Sequence, residues 1–168
     1  MIDALTASGP HPDHASDLML FGRFVGAWDV EGVLIDREGR RSEHRGEWLF
    51  GWVLDGRAIQ DVLISPPRDA RPPVAAPLEY GSTLRMYDPA SGRWSITWIT
   101  PVYGRVERLT GGAAGDDIVL EGRSADGRGL LRWSFEEIGR DAFTWRGRRS
   151  TDGGASWRLE EEMRLWRR

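Results

Sequence analysis

Bulky apolar residues recur at every second position along most of this 168-residue chain, in short segments that Gly- and Asp-rich turns separate. The nine tryptophans make the pattern clear, because Trp48 and Trp52, like Trp94 and Trp98, lie an even number of positions apart. Side chains that alternate in this way lie on one face of a β-strand. From Trp28 onward the chain therefore predicts strands alone.

Ten strands are predicted, and most connections between them are too short for the crossover helices that parallel strands need. Their ranges are 28–36, 43–54, 57–64, 79–87, 93–100, 103–110, 116–124, 129–138, 142–150 and 157–166. We therefore expect an all-β fold, a single antiparallel up-and-down barrel within residues 15–168. A short helix over 15–27, capped by Ser16 or Asp17 and ended by Gly26, precedes the barrel. Residues 1–14 are expected to form an irregular arm.

Turn residues predict the register of several strands. Pairing outward from Asp126-Gly127 places Glu121 opposite Arg132 on the solvent face and Trp133 in an apolar core. Pairing outward from Asp55-Gly56 gives one shared face to six residues: Trp48, Phe50, Trp52, Arg57, Ile59 and Asp61. Residues 150–157 follow the Ser-x-Asp-x-Gly-x-x-Trp spacing of an Asp-box, in which the Asp caps turn amides. This motif predicts a structural hairpin.

Composition excludes several chemistries. The chain has no Cys and no Lys, and all 23 basic residues are Arg. A thiolate nucleophile, a disulfide framework, a Schiff base and a P-loop are therefore excluded. A net charge of −3 gives no broad electrostatic basis for binding nucleic acid. No apolar run reaches the ~20 residues of a membrane span and no signal peptide is recognisable, which predicts a cytoplasmic protein with no membrane partner.

Metal and histidine chemistry find little support in the sequence. Asp116-Asp117 falls at a turn and Glu136-Glu137 divides between two sheet faces, so no metal site and no catalytic residues are assigned. His44 is the one histidine outside the N-terminal arm. A histidine near the start of a strand is expected to be exposed rather than catalytic.

Gly26-Ala27-Trp28, placed after a short helix and at the start of the first strand, resembles the Gly-x-Trp motif of the lipocalin and calycin superfamily. The resemblance implies that Trp28 closes one end of the barrel under an arginine of the last strand, for which Arg158, Arg164 and Arg167 are candidates. Residues 18–168 also resemble uncharacterised bacterial nitrobindin-like barrel families, through Trp52–Arg57, through Tyr87-Asp88-Pro89 with Trp94 and Trp98, and through the Asp-Gly-Gly hairpin before Trp157. This resemblance implies a fold and no activity. Nitrobindin-like members bind haem through a histidine near the C-terminus, and because this chain has none after His44, no cofactor is expected.

Candidate ligand-binding residues are charged residues on tryptophan-bearing strand faces, together with those tryptophans. They are Trp48, Trp52, Arg57, Asp61, Arg85, Trp98 and Glu161. An inward Arg85 would bind a carboxylate, because a buried arginine without a partner is costly. An inward Glu161 would serve as a general acid or base, or else form an ion pair with Arg85 or another inward arginine.

Three functions remain open from the sequence. The first is binding of a small, largely apolar or amphipathic ligand, with or without a carboxylate, in a Trp-lined cavity without catalysis. The second is a cofactor-free isomerase, cyclase or hydratase that uses Glu161 or Asp61 with a tyrosine. The third is a filled barrel that acts through its surface, for example as a homodimer. The proline-rich loop 65–78 is either a lid over the barrel mouth or a packing loop.

Overall fold

The structure, a computed structural model, describes residues 1–70 and 78–168. The N-terminal elements are α1 (Ile2–Leu5), β1 (Thr6–Ala7), a 3₁₀ turn (Pro12–His14) and α2 (Ala15–Gly22). The barrel strands are β2 (Gly26–Ile35), β3 (Arg41–Val53), β4 (Ala58–Ser65), β5 (Glu79–Asp88), β6 (Arg93–Thr100), β7 (Arg105–Ala114), β8 (Asp117–Arg123), β9 (Leu130–Glu136), β10 (Ala142–Ser150) and β11 (Arg158–Arg167). Each of the ten predicted strands is present, with ends that differ by a few residues.

Strands β2 to β11 form a closed antiparallel barrel. Each strand pairs with the next along the chain, and β11 returns to pair with β2, which closes the sheet. The predicted all-β up-and-down barrel of ten strands is therefore confirmed. Strand β1 is an additional element. It pairs with Trp52 and Val53 at the end of β3, which lie beyond Phe50, the β3 residue that pairs with the start of β2.

Helix α2 closes one end of the barrel. Its Phe21 and the following Phe24 are fully buried and contact Phe135 from inside the barrel, with ring centroids 5.5 and 5.2 Å apart. Trp28 lies beside them, and the Arg167 guanidinium stacks on its indole at 4.2 Å. Among the three arginines that the resemblance offered, Arg167 therefore fills the expected place. We call this half of the barrel the closed end.

The N-terminal segment is more regular than the sequence suggests. The predicted irregular arm contains α1, β1 and the 3₁₀ turn, because its backbone completes the unpaired edge of β3. The predicted helix caps are wrong: the N-cap position of α2 is His14, without a side-chain cap bond, and the helix ends at Gly22. Gly26 instead begins β2 at a φ of 132°.

The pairing predicted outward from Asp126-Gly127 is confirmed. The one predicted from Asp55-Gly56 is confirmed for Phe50 with Asp61 and for Trp52 with Ile59, but it is wrong for Arg57, which precedes β4 and is exposed. Glu121 lies opposite Arg132, which donates to its carboxylate at 2.6 Å. In the Asp-box hairpin, Asp152 accepts the backbone N–H of Ser156 at 2.9 Å. Trp157 lies outside the barrel, where the Arg132 guanidinium covers its ring at 3.9 Å. The Asp-box therefore has the structural role that its spacing predicts.

No helix among the described residues has the length and apolar character needed to cross a bilayer.

Candidate ligand-binding site

A cavity of about 310 Å³ occupies the barrel at the end opposite α2. Four indoles form its inner wall: Trp98 lies 6.5 Å from Trp133, which lies 5.8 Å from Trp145, which lies 6.3 Å from Trp48, measured between ring centroids. The rim includes exposed Tyr103, so the cavity reaches the surface. The barrel is thus not filled by its own side chains, and this end is here called the open end.

A buried ion pair lies below the cavity. The Arg85 guanidinium contacts the Asp61 carboxylate, and both residues are only 1% exposed. Asp61 also accepts the backbone N–H of Thr83 at 3.3 Å. Arg85 lines the cavity, and its Nε has no hydrogen-bond partner among the described residues. One oriented cation therefore has donor capacity left over beside a space that can hold a ligand.

Aromatic rings surround this guanidinium. The Arg85 Cζ lies 5.2 Å from the Phe21 ring centroid, 5.3 Å from that of Phe50 and 6.0 Å from that of Trp48. Burial lowers the pKa of Arg85. The adjoining carboxylate and the ring faces favour the charged form, so the guanidinium stays protonated at neutral pH. Nearby, the buried indole N–H of Trp48 also lacks a partner within the described chain.

His44, Glu161 and Ser65 form a polar cluster on another part of the cavity wall. His44 Nε2 lies 3.0 Å from Glu161 Oε1, and its Nδ1 lies 3.4 Å from Ser65 Oγ. Gly32 lies on β2, the strand between β3 and β11, and it makes this contact possible. A Cβ at this position would lie 2.1 Å from His44 Nε2. The missing side chain lets the imidazole reach across β2 to β11.

Glu79, at the start of β5, adds a second carboxyl group at the rim. Its Oε1 accepts from Thr100 Oγ1 at 2.7 Å and from the backbone N–H of Tyr80 at 2.9 Å. Burial raises the pKa of Glu79, those hydrogen bonds oppose the shift, and the charge of Glu161 adds to it. Burial and the same two carboxylates raise the pKa of Tyr103, whose hydroxyl donates to the Leu78 carbonyl at 2.6 Å.

The structure brings together five of the seven predicted site residues. Trp48, Arg85, Trp98 and Glu161 line the cavity, and Asp61 lies behind Arg85. The other two lie at the closed end. Trp52 packs its indole over Gly22 of α2. Arg57 is exposed in the β3–β4 turn, where it bonds His11 at 2.6 Å.

Sequence reasoning missed most of the residues that line the cavity, and three of them matter for the site: His44, Trp133 and Glu79. His44 was expected to be exposed, yet its side chain is only 8% exposed. Trp133 was assigned to a filled core but lies on the cavity wall, and Glu79 was not singled out. The alternation of the strand, from Trp48 through residue 46 to His44, places His44 on the same face as Trp48 and could have been used to predict its burial. The predicted lid or packing role of loop 65–78 falls partly on residues 71–77, which lie outside the described residues.

Within the described ranges, no group of three or more His, Asp or Glu side chains is arranged to hold a metal ion. No family model matches the chain, and no curated protein matches it in sequence.

Several solved structures share the fold, among them Rv2717c and a phycobiliprotein lyase. Rv2717c from M. tuberculosis is 18% identical, with a TM-score of 0.65 over 92% of this chain and 98% of that chain. The S-type phycobiliprotein lyase CpeS from Guillardia theta is 14% identical, with a TM-score of 0.60 over 89% of this chain and 91% of that chain. At these identities the likeness concerns the fold alone, the closed antiparallel barrel.

Proposed function

We propose that the barrel binds a small, largely apolar molecule that carries a carboxylate or another hydrogen-bond acceptor, and that Arg85 holds this group. The observation that carries the proposal is the donor capacity of a buried guanidinium at an indole-lined cavity. Ligand sites are typically concave and mostly apolar, with a few polar groups that fix orientation. A volume of about 310 Å³ is at the small end of their range.

Arg85 is better suited to this role than the other arginines of the cavity. Arg148 bonds Glu136 at 2.9 Å, and Arg149 bonds Glu160 at 3.0 Å. Arg105 lies at the rim, where it covers the Tyr103 ring at 5.2 Å. Only Arg85 among these four is surrounded by aromatic rings, and a hydrogen bond to a buried charge is worth more than one to an exposed charge.

Titration with 3-phenylpropanoate, followed by tryptophan fluorescence, tests the proposal. Because four indoles line the cavity, binding should change their emission. The informative variant is the double substitution Arg85→Met with Asp61→Val, which removes both charges together. Loss of a charge-assisted hydrogen bond, worth about 1.5 to 3 kcal/mol, should weaken binding by at least about tenfold.

Two comparisons complete this experiment. The neutral 3-phenylpropan-1-ol has the same apolar part, so the double variant should bind it about as well as the wild type does. Replacing the exposed Glu121–Arg132 pair by Val and Met is the matched control, and its affinity for the acid should be unchanged. The proposal fails if neither compound changes the emission, or if the wild type and the Arg85/Asp61 double variant bind the acid equally.

We also propose, from the motif residues, that the chain is related to the nitrobindin-like barrels. A cytoplasmic location and a homodimer stay predictions from the sequence.

A further inference from the structure

Ser65 contacts His44, and His44 contacts Glu161. A nucleophilic triad has the same order of side chains. Two observations argue against Ser65 as a nucleophile. Its hydroxyl donates to the Arg45 carbonyl at 2.8 Å, so its proton points to the backbone. The residue is also only 3% exposed. Glu161, by contrast, is 23% exposed at the side chain and lines the cavity. Glu161 is therefore the member of the cluster that a ligand would contact.

Ser65 and Glu161 orient the His44 imidazole. Because the hydroxyl proton of Ser65 goes to Arg45, its oxygen accepts from His44 Nδ1. This contact turns Nε2 toward Glu161, whose Oε1 lies 3.0 Å away. His44 is more than nine-tenths buried, and its Nε2 makes no well-aligned hydrogen bond.

Glu79 is the second carboxyl group of the cavity and the candidate proton donor. The bonds from Thr100 and Tyr80 both end on Oε1, so the proton of the neutral form lies on Oε2. Burial raises the pKa of Glu79, and Glu161 is close enough for its charge to raise that pKa further. Two carboxyl groups at one cavity, one of them with a raised pKa, are an arrangement that acid–base enzymes use.

We infer that the cavity catalyses proton transfer on a bound carbonyl compound, with Glu161 as the base, Glu79 as the acid and His44 as the residue that positions Glu161. Glu161 takes a proton from the carbon next to the carbonyl. The C–H electron pair forms a C=C bond, and the carbonyl π pair moves to oxygen, which takes the proton of Glu79. The reverse transfers return one proton to Glu79 and one to the carbon, which in D₂O receives a deuteron instead. No co-reactant is needed. The inference rests on the proposed function, because the same cavity must first bind the compound.

Solvent deuterium exchange tests this inference with defined probes. Phenylpyruvate carries a carboxylate, a ketone and an acidic CH₂ group, and phenylacetone has a methyl group in place of the carboxylate. In D₂O, proton NMR follows the loss of the CH₂ signal of each probe, after subtraction of the exchange in buffer. We expect the wild-type protein to accelerate exchange, and Glu161→Gln to reduce this acceleration by about 100-fold, the usual lower bound for general acid–base catalysis.

Control variants separate chemistry from structure. Glu161→Asp keeps a carboxylate and should retain part of the exchange rate, whereas a purely structural residue would respond equally to Asp and Gln. Glu31→Gln, on the outer face of β2, should behave as the wild type. In ¹⁵N spectra, Glu161→Gln should shift the signal of His44 Nε2 and leave the other two histidines unchanged, because Nε2 lies 3.0 Å from Glu161 Oε1.

Fluorescence titration with the same probes distinguishes the two proposals. If phenylpyruvate binds and its exchange is no faster than in buffer, or is equally fast with Glu161→Gln, the inference of catalysis is overturned and the binding function stands. If neither probe binds and neither exchanges faster than in buffer, both proposals fail.

Discussion

Removal of only one partner of the buried Arg85–Asp61 pair should destabilise the barrel strongly. In Arg85→Met, the Asp61 carboxylate stays 1% exposed and keeps one backbone hydrogen bond, but it loses its counter-ion. An uncompensated buried charge of this kind costs about 3 to 5 kcal/mol. For a chain of this size the loss corresponds to a fall in Tm of roughly 6 to 20 °C. Asp61→Val alone should cost a similar amount, since it leaves the guanidinium unpaired among aromatic rings.

Removal of both charges should cost much less than either single substitution. Apolar replacements of a buried ion pair are often neutral or stabilising, although loss of the guanidinium contacts with Phe21 and Phe50 removes about 1 to 2 kcal/mol of cation–π attraction. Urea unfolding of the wild type, both single variants and the double variant gives the coupling free energy directly. A double variant as unstable as the sum of the single variants, or an Arg85→Met variant that loses less than about 1 kcal/mol of stability, would show that the two charges do not stabilise each other.

Three further variants test local contacts. Gly32→Ala should displace the His44 imidazole, because the new Cβ would lie 2.1 Å from Nε2, and the ring signals of this histidine in NMR should shift while those of the other two do not. Gly22→Ala places a Cβ 2.4 Å from the Trp52 ring and should cost about 1 to 3 kcal/mol in urea unfolding, whereas Gly51→Ala, with no atom within 4 Å, is the control. Glu47 has a pKa lowered to about 2, chiefly by its hydrogen bond from the Arg68 guanidinium. Since the folded pKa lies below the unfolded one, its stabilisation, about 2 to 3 kcal/mol, is present above pH 4.5 and is lost as pH falls toward 2. Glu47→Gln should therefore lose stability at pH 7 and differ little from the wild type at pH 2, and an equal difference at both values would contradict this assignment.

The strands and much of their register could be predicted from the sequence, because alternation and Asp-Gly turns are local signals. The pairing of Glu121 with Arg132 follows from one turn alone. The height of each inward side chain along the barrel axis could not be predicted in this way. Trp94 and Trp98 share one strand face, yet Trp94 packs on Phe21 of α2 at 4.8 Å and Trp98 lines the cavity.

The candidate site was less predictable, because it depends on contacts between distant strands. Arg57 follows three residues with positive φ, Leu54, Asp55 and Gly56, so strand alternation does not extend to it. The burial of His44 depends on a glycine of the neighbouring strand, and its contact with Glu161 depends on closure of the barrel between β2 and β11. Alternation along one strand carries neither piece of information.

The most direct test of the binding proposal is a crystal structure of the protein grown with 3-(4-bromophenyl)propanoate, since anomalous scattering locates the bromine independently of the refined coordinates. We expect a single strong bromine peak inside the barrel among Trp98, Trp133 and Trp145, with the carboxylate density beside the Arg85 guanidinium. Bromine peaks confined to the outer surface, or an empty cavity at a saturating concentration of the compound, would contradict the binding proposal.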